Sequence, residues 1–515
     1  MSNLFSTLHI AGTALNVNQS AINIVSNNIA NMNTEGYHKQ KVNLSAINID
    51  TPIFNNVNAQ INTNLGVEIT SVDRYTTTFL NSYYNDQITE QSYLNEQKNT
   101  VTNIANVFDD LEGQGLDTAL QAFYEAINNF SKSPNDLNTR RAFIEAASAL
   151  AKSMNKIAKN LDDIEKNNVG DGTNQHSLNN SKIKTTADSL NRSLDELASV
   201  NKMLANSQTG TLENNTLLDK RDTILKEISQ YGDFKSDIQS DGTVKLSFSG
   251  IKVVSGNGVE GYFGVQTALQ YDEYCQNNNI ENTNNNNAVI TFGKDEEIDY
   301  QNLNQKFDTG LIGGILDSEN SYESTRADLD NLAQKIADTF NEIQTREGAY
   351  YIETTNGNTR LSNENIEDYK IFTTDEGYNN ITAENISINP IFLEEDGYQK
   401  LAAAYFPDNN PDINAVGNSN NTIEMLNTRN QADSIETTYN GIVGKITAAY
   451  ESKTNESTMQ DSVVQTLDNK INEQTGVNLN EELTDLIRFQ NAFTASARVF
   501  SVCNNVLDTL VHLGE

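Results

Sequence analysis

The two ends of this 515-residue chain carry matching apolar stripes. Near the start, Leu4, Leu8, Ala11, Leu15, Asn18, Ile22, Val25, Ile29 and Met32 fall at alternating four- and three-residue steps. Near the end, Leu483, Leu486, Gln490, Phe493, Ala497, Phe500, Asn504, Leu507 and Val511 do the same. That spacing is a heptad and predicts one amphipathic helix at each terminus. Alone, each helix would expose its stripe to water. The simplest way to bury both is to pair the termini as a coiled coil, or to press them against other copies of the chain. Termini used in this way belong to a chain built for assembly.

Length leaves room for roughly three domains at about 150 residues each. The formal charge of −35 repels phosphates and argues against nucleic acid. It equally disfavours anionic membrane surfaces. No stretch approaches the roughly 18 uncharged apolar residues of a membrane helix. The first twenty residues lack the basic start and unbroken apolar core of a cleaved secretory signal. Cys275 and Cys503 are too few and too far apart for a disulfide framework. Five prolines leave long helices uninterrupted.

Periodicity predicts a first helix from about Asn3 to Asn31, then an extended or irregular stretch to residue 75 with a strand at 66–72. Helix dominates from Thr77 to Ile228, broken at Ser133-Pro134-Asn135 and at Asn167–Gln175. Val244, Leu246 and Phe248 alternate with polar residues as in a hairpin. Tyr262–Tyr271 and Val289–Phe292 read as further strands, separated by an Asn-rich surface loop, Asn277–Asn287. Helix returns over Leu311–Ile343 and over Thr422–Gln474, with short strands expected at Tyr369–Thr373 and Ile386–Ile388. The fold class is α+β. It comprises a terminal coiled-coil unit with an extended segment (1–75 and 476–515) and a helical stalk (76–230, 310–346 and 422–475). A β-rich insertion (231–309) and a second irregular or β segment (347–421) interrupt the stalk.

No catalytic site, metal site or cofactor is expected. None of His9, His38, His176 and His512 has a second His or Cys at ligand spacing. Gly310–Gly314 opens a helical stretch but lacks the Lys and hydroxyl of a phosphate loop. Acidic runs such as Asp295–Asp299 lack the alternating oxygens of a calcium loop.

Three segments carry more information than composition does. Asn27–Gln40, NNIANMNTEGYHKQ, crowds asparagines around a helix end, where an interior Asn would be costly. Leu217–Ser229, LLDKRDTILKEIS, gathers charges around Arg221 and Asp222. Gly476–Phe500, GVNLNEELTDLIRFQNAFTASARVF, begins with Asn478 as a cap and has carboxylates opposing the helix start. Together the terminal pair resembles the bacterial flagellar axial proteins of rod, hook and junction. The Tyr37…Gln40 ending, LLDKRDTILKEIS and Leu332–Gly348 resemble the hook–filament junction members of that family. Asn27, Asn28, Asn31, Asn33, Thr34, Gly36, Tyr37, Gln40, Arg221, Asp222, Asn478 and Gln490 stand at the matching motif positions. Lys39 departs from the family's usual Arg, Cys503 is unusual there, and the Asn-rich stretches have no counterpart.

The resemblance implies a structural subunit joining hook to filament. Inter-subunit packing would fall to Leu4, Leu8, Ala11, Leu15, Ile22, Val25, Ile29, Leu483, Leu486, Phe493, Ala497, Phe500, Leu507 and Val511. It implies as partners other copies in a ring, the hook protein, the second junction protein and an export chaperone on the C-terminal helix. It also implies export to the extracellular flagellum without a cleaved signal. The alternatives are a hook or distal-rod subunit, or a secreted acidic adhesin that binds calcium.

Overall fold

The computed structural model describes residues 2–48, 64–108, 115–256, 258–294, 297–299, 302–355, 358–374 and 380–512. Parts of the 37–75 stretch and of the acidic run, Asp295 and Glu296, lie outside them. Helix α1 (Ser2–Ala30) leads into an antiparallel hairpin, β1 (Gln40–Asn48) and β2 (Asn64–Arg74), with Gln40 opposite Arg74. Five helices, α2 (Thr78–Phe108), α3 (Leu116–Lys132), α4 (Leu137–Val169), α5 (Gln175–Asn179) and α6 (Lys182–Asn206), precede α7 (Leu212–Ser229). Side-chain caps set their starts: Asp136 accepts from the Asn138 amide, and Ser181 from the Lys184 amide.

Strands β3 (Phe234–Ile238), β4 (Val244–Phe248), β5 (Ile251–Ser255) and β6 (Gly258–Val259) form one antiparallel sheet. A second joins β7 (Tyr262–Thr267), β8 (Ala288–Lys294) and β9 (Glu297–Asp299). The expected strand to Tyr271 stops at Thr267. There Thr267 and Gln270 close a capping box and start a helix, α8 (Ala268–Asn278), that periodicity did not reveal. The long α9 (Gly310–Thr345) follows. After it come β10 (Ala349–Thr355) and β11 (Asn358–Ser362), a two-residue pair β12 (Phe372–Thr373) with β13 (Ser387–Ile388), and β14 (Ala404–Tyr405). The helix expected from Thr422 is two, α10 (Asn420–Asn427) and α11 (Ile435–Thr475), the second capped by Ser434. The chain ends in α12 (Leu479–His512).

Two large apolar cores share one helix. Ile312, Ile315 and Leu316 of α9 pack with α6, α7 and the sheets of residues 234–294. Leu329, Leu332, Ile336 and Phe340 of the same helix pack with α3 and α4. Residues 371–403 contribute Phe372, Ile386 and Leu401 to that second core, so this stretch is part of the stalk's packing. Arg140, fully buried, fixes it by donating to the carbonyls of Leu401 at 2.7 Å and Gln399 at 3.2 Å. Gly314 lets α2 lie against α9, because a Cβ there would come within 2.7 Å of the Glu96 side chain. Helices α2 and α11 run antiparallel through a seam that is apolar at Tyr84, Ile88, Val464 and Leu467 and polar farther along, where Gln91 donates to Asp461 at 2.6 Å and Ser457 to Asn95 at 2.7 Å.

Candidate assembly interface

The two terminal helices pack against each other, and α1 also lies on the β1–β2 hairpin. On α1, Ala11 and Val25 are buried, and Leu4, Leu8, Leu15, Ile22 and Ile29 are half-buried. Val17, Ala21 and Ile24, outside the expected stripe, are buried as well. Two neighbours on two sides explain this wider burial. On α12 the covered residues run through Glu482, Leu486, Phe489, Phe493, Ser496, Ala497, Cys503 and Leu507. Leu486, Phe493, Ala497 and Leu507 of the expected stripe are thus covered, and the Phe500 ring, though 37% exposed, lies beside Gly12 of α1, whereas Leu483, Gln490 and Val511 are exposed. A further set of apolar residues on α12, Ile487, Val499, Val502, Val506 and Leu510, faces solvent among polar neighbours such as Arg488 and Arg498, Val502 at 61% exposure.

At the base of this pair the three sequence motifs converge. The Asn28 amide donates to the Gln40 carbonyl and to the Glu482 carboxylate, each at 2.9 Å. Its oxygen accepts from the Gln40 amide at 3.1 Å and from the Tyr37 hydroxyl at 2.8 Å. The same hydroxyl lies 3.0 Å from the Asn27 oxygen, and Asn31 donates back to Asn27. The crowded asparagines are therefore a polar interlock that ends α1 and seats the start of α12. Asn478 caps α12 through the Asn480 amide at 3.0 Å. Asn33 and Thr34 lie in the exposed turn. Gly36, at φ +75°, lies against Thr223 of α7, and the left-handed backbone there favours glycine.

Gln40 extends the interlock to the stalk, since Asn215 of α7 donates to its side-chain oxygen at 3.1 Å and to the Val72 carbonyl at 2.8 Å. Beside it, Arg74 at the end of β2 donates to Asp219 at 2.7 Å and to Asp222 at 2.6 Å. His38 Nδ1 lies 2.8 Å from Asp219. Arg221 holds Asp222 from the other side and donates to the Gly242 carbonyl at 2.6 Å, tying in the first β-sheet. Burial acts to raise the Asp222 carboxyl, but Arg74 and Arg221 outweigh it and hold it below the usual carboxylate range. Burial pushes the Tyr37 phenol above its ordinary value, with Asp219 and Glu482 adding to the shift.

Lys39 joins the node from the rim, 2.8 Å from Glu481 and 3.2 Å from Glu482. Burial works against its charge, yet the two carboxylates keep its pKa above the ordinary ammonium value. From sequence, Glu482 is read only as a carboxylate opposing the helix start and His38 only as a histidine without ligand spacing, and Arg74 and Asp219 are not singled out. Glu482 had a signal, because an acidic residue in a helix's first turn can serve a partner as well as the dipole. The other three become visible only when distant segments meet. Among the described residues, one carboxylate group close enough to share an ion lies elsewhere, at Glu165, Glu319 and Glu323.

Residues 101–358, half the chain, match the family described as the flagellar hook-associated protein FlgK helical domain. The chain belongs to the flagellar hook-associated protein family. Residues 8–38 match the flagella basal body rod protein family, and residues 469–513 the C-terminal family of the basal body rod FlgEFG proteins. The chain is 25% identical to flagellar hook-associated protein 1 of Bacillus subtilis, across 99% of both chains. It is 25% identical to the protein of that name from Salmonella typhimurium, across 66% of this chain and 57% of the relative. Its fold is similar to the flagellar hook junction protein FlgK of Burkholderia pseudomallei, with a TM-score of 0.52, 12% identity and coverage of 75% of this chain and 99% of that one. The subunit is thus a structural component of the bacterial flagellum, of the kind that joins hook and filament. The hook or distal-rod alternative and the acidic adhesin are not favoured.

Proposed function

We propose that the subunit joins hook to filament by polymerising into a ring of identical copies through its paired terminal helices. The observation that carries this is the two-sided apolar character of α12. One side is closed by α1, and the other presents Ile487, Val499, Val502, Val506 and Leu510. Charge supports the same surface. The chain carries −35 overall, but residues 1–34 contain no Asp, Glu, Lys or Arg, so copies approach with least repulsion there. The Asn28 and Asp222 nodes then hold the pair at a fixed attitude to the stalk. The stalk would form the next shell and the sheets of residues 234–299 the outer surface. The hook protein and the second junction protein would be the axial neighbours. An apolar face of this length invites aggregation before assembly, which is the physical reason for a chaperone on α12 during export from the cell without a cleaved signal.

Substituting Val502→Asp together with Val506→Asp tests this. The monomer should keep its denaturation profile, because both residues are exposed, while ring formation measured by sedimentation and junctions seen on purified flagella are lost. Normal junctions in that variant would sink the proposal.

A further inference from the structure

The Asn-rich segment after α8 does not hang free. Asn286 donates to Glu319 at 2.8 Å, the Asn287 amide donates to the other Glu319 oxygen at 2.7 Å, and the Asn287 side chain donates to Glu165 at 3.1 Å. Asn304 closes the segment from behind, donating to the Ala288 carbonyl at 2.8 Å and to Asn284 and Asn286 at 3.3 Å. The segment leads directly into β8, so these contacts seat the β7–β9 sheet on α4 and α9.

The seat is made of carboxylates. Glu165, Glu319 and Glu323 offer oxygens that all lie within 4.8 Å of one another, and Glu165 and Glu319 are buried at 6% and 2% exposure. The charged groups around them are few. From α4 come Asp162 and Lys166, which pair with each other at 2.7 Å. From α9 comes Arg326, bonded to Asp162 at 2.8 Å and only 4.0 Å from Glu165. From the segment, the groups that reach the cluster are the amides of Asn286 and Asn287. One shared guanidinium cannot neutralise three neighbouring carboxylates, two of them out of water.

We propose that this cluster is a proton-dependent latch, holding one proton when the Asn segment is docked and releasing it when the segment lifts away. Like charges at this separation titrate as a group, so the proton belongs to the cluster and not to one oxygen. Burial pushes the Glu319 carboxyl up to about 7, against the two donors from Asn286 and Asn287 and with Glu165 and Glu323 adding. Glu165 is raised in the same direction, again by burial first. The sign follows from these shifts. The docked state binds a proton that the open state, with an ordinary carboxylate, gives up. Docking is therefore firmest below the ordinary range and weakens as pH rises through about 7. The device would let the outer sheet loosen from the stalk in alkaline surroundings and seat firmly in mildly acidic ones.

Amide exchange of residues 286–290 in the full-length protein, corrected for intrinsic rates, tests the latch. Protection should fall by up to about tenfold per pH unit between roughly pH 5 and 7 and level off above about 8. Glu319→Gln, which keeps the shape and removes the charge, should flatten that dependence, and Glu165→Gln provides a second, independent variant. Protection that is flat with pH in the native chain, or a slope surviving in both variants, would overturn the latch. Protection at about pH 8 restored by millimolar calcium chloride would overturn it too, since the group would then hold a cation and not a proton.

Discussion

The stalk core and the terminal helix pair are both helical, yet they are completed in different ways. Phe123 is fully buried, with the rings of Phe340 at 4.8 Å, Phe143 at 5.4 Å and Phe372 at 6.2 Å. Those rings come from α3, α4, α9 and β12, so the chain closes this core by itself. Among the described residues, the terminal helices bury Ala11, Val17, Ala21, Ile24, Val25 and Cys503 but no aromatic ring, and turn Ile487 and Val502 outward. One region ends the burial of apolar surface within the subunit, and the other leaves it to be finished by neighbours. The contrast separates residues that make a subunit from residues that make an assembly.

The strongest way to break that contrast is to truncate one large apolar side chain in each region. Phe123→Ala should cost about 3–5 kcal/mol of stalk stability, as a cavity opens among rings that cannot collapse onto it. Val502→Ala, at an exposed position, should move the same urea transition by no more than about 0.5 kcal/mol. Equal costs would mean that α12's outer face is already supported within the monomer, and the division into closed and open regions would fall.

How much of this was legible from sequence follows the same division. The stalk helices were readable because of their apolar periodicity, although the break before α11, where Ser434 caps the helix, was not read. The covered side of α12 was legible only in part, at Leu486, Phe493, Ala497 and Leu507. A helix with apolar residues on two sides has no unique phase, so Leu483 and Gln490 were as acceptable as Glu482 and Phe489, which are the ones covered. Asparagine abundance hid the docking of Asn286 and Asn287, since composition marks a loop without revealing what it touches. Arg221 and Asp222 stood out in sequence only as a gathering of charge at matching motif positions. Their role needs Arg74, which only the fold brings to them.

The node between the two regions gives a finer test. Asn28→Ala removes the acceptor and donor that join α1, β1 and Glu482, leaving a buried carboxylate and a backbone amide short of partners. Unsatisfied buried groups of this kind cost about 1–3 kcal/mol. The loss should be local, because the stalk core contains none of these atoms. Amide exchange at Gln40 and in the first turn of α12 should accelerate while α4 stays protected. Uniform acceleration through α4 would show that the terminal unit and the stalk unfold together, and the two regions would have to be treated as one.

The smallest effect belongs to the rim of that node. Lys39 bonds two carboxylates that differ in setting: the Glu481 side chain is 63% exposed and that of Glu482 only 2%. Lys39 holds the Glu481 carboxyl below its ordinary range through a hydrogen bond and its charge, but water and salt compete for so exposed a group. Glu481→Gln should therefore leave exchange in the first turn of α12 unchanged at about 0.5 M salt, with at most a slight acceleration at low salt. Glu482→Gln should accelerate it at both, because its partners Asn28 and Lys39 meet a carboxylate that water does not reach. If the two variants behave alike, the seat of α12 is held by the cap at Asn478, and burial of Glu482 contributes nothing to the join between terminal pair and stalk.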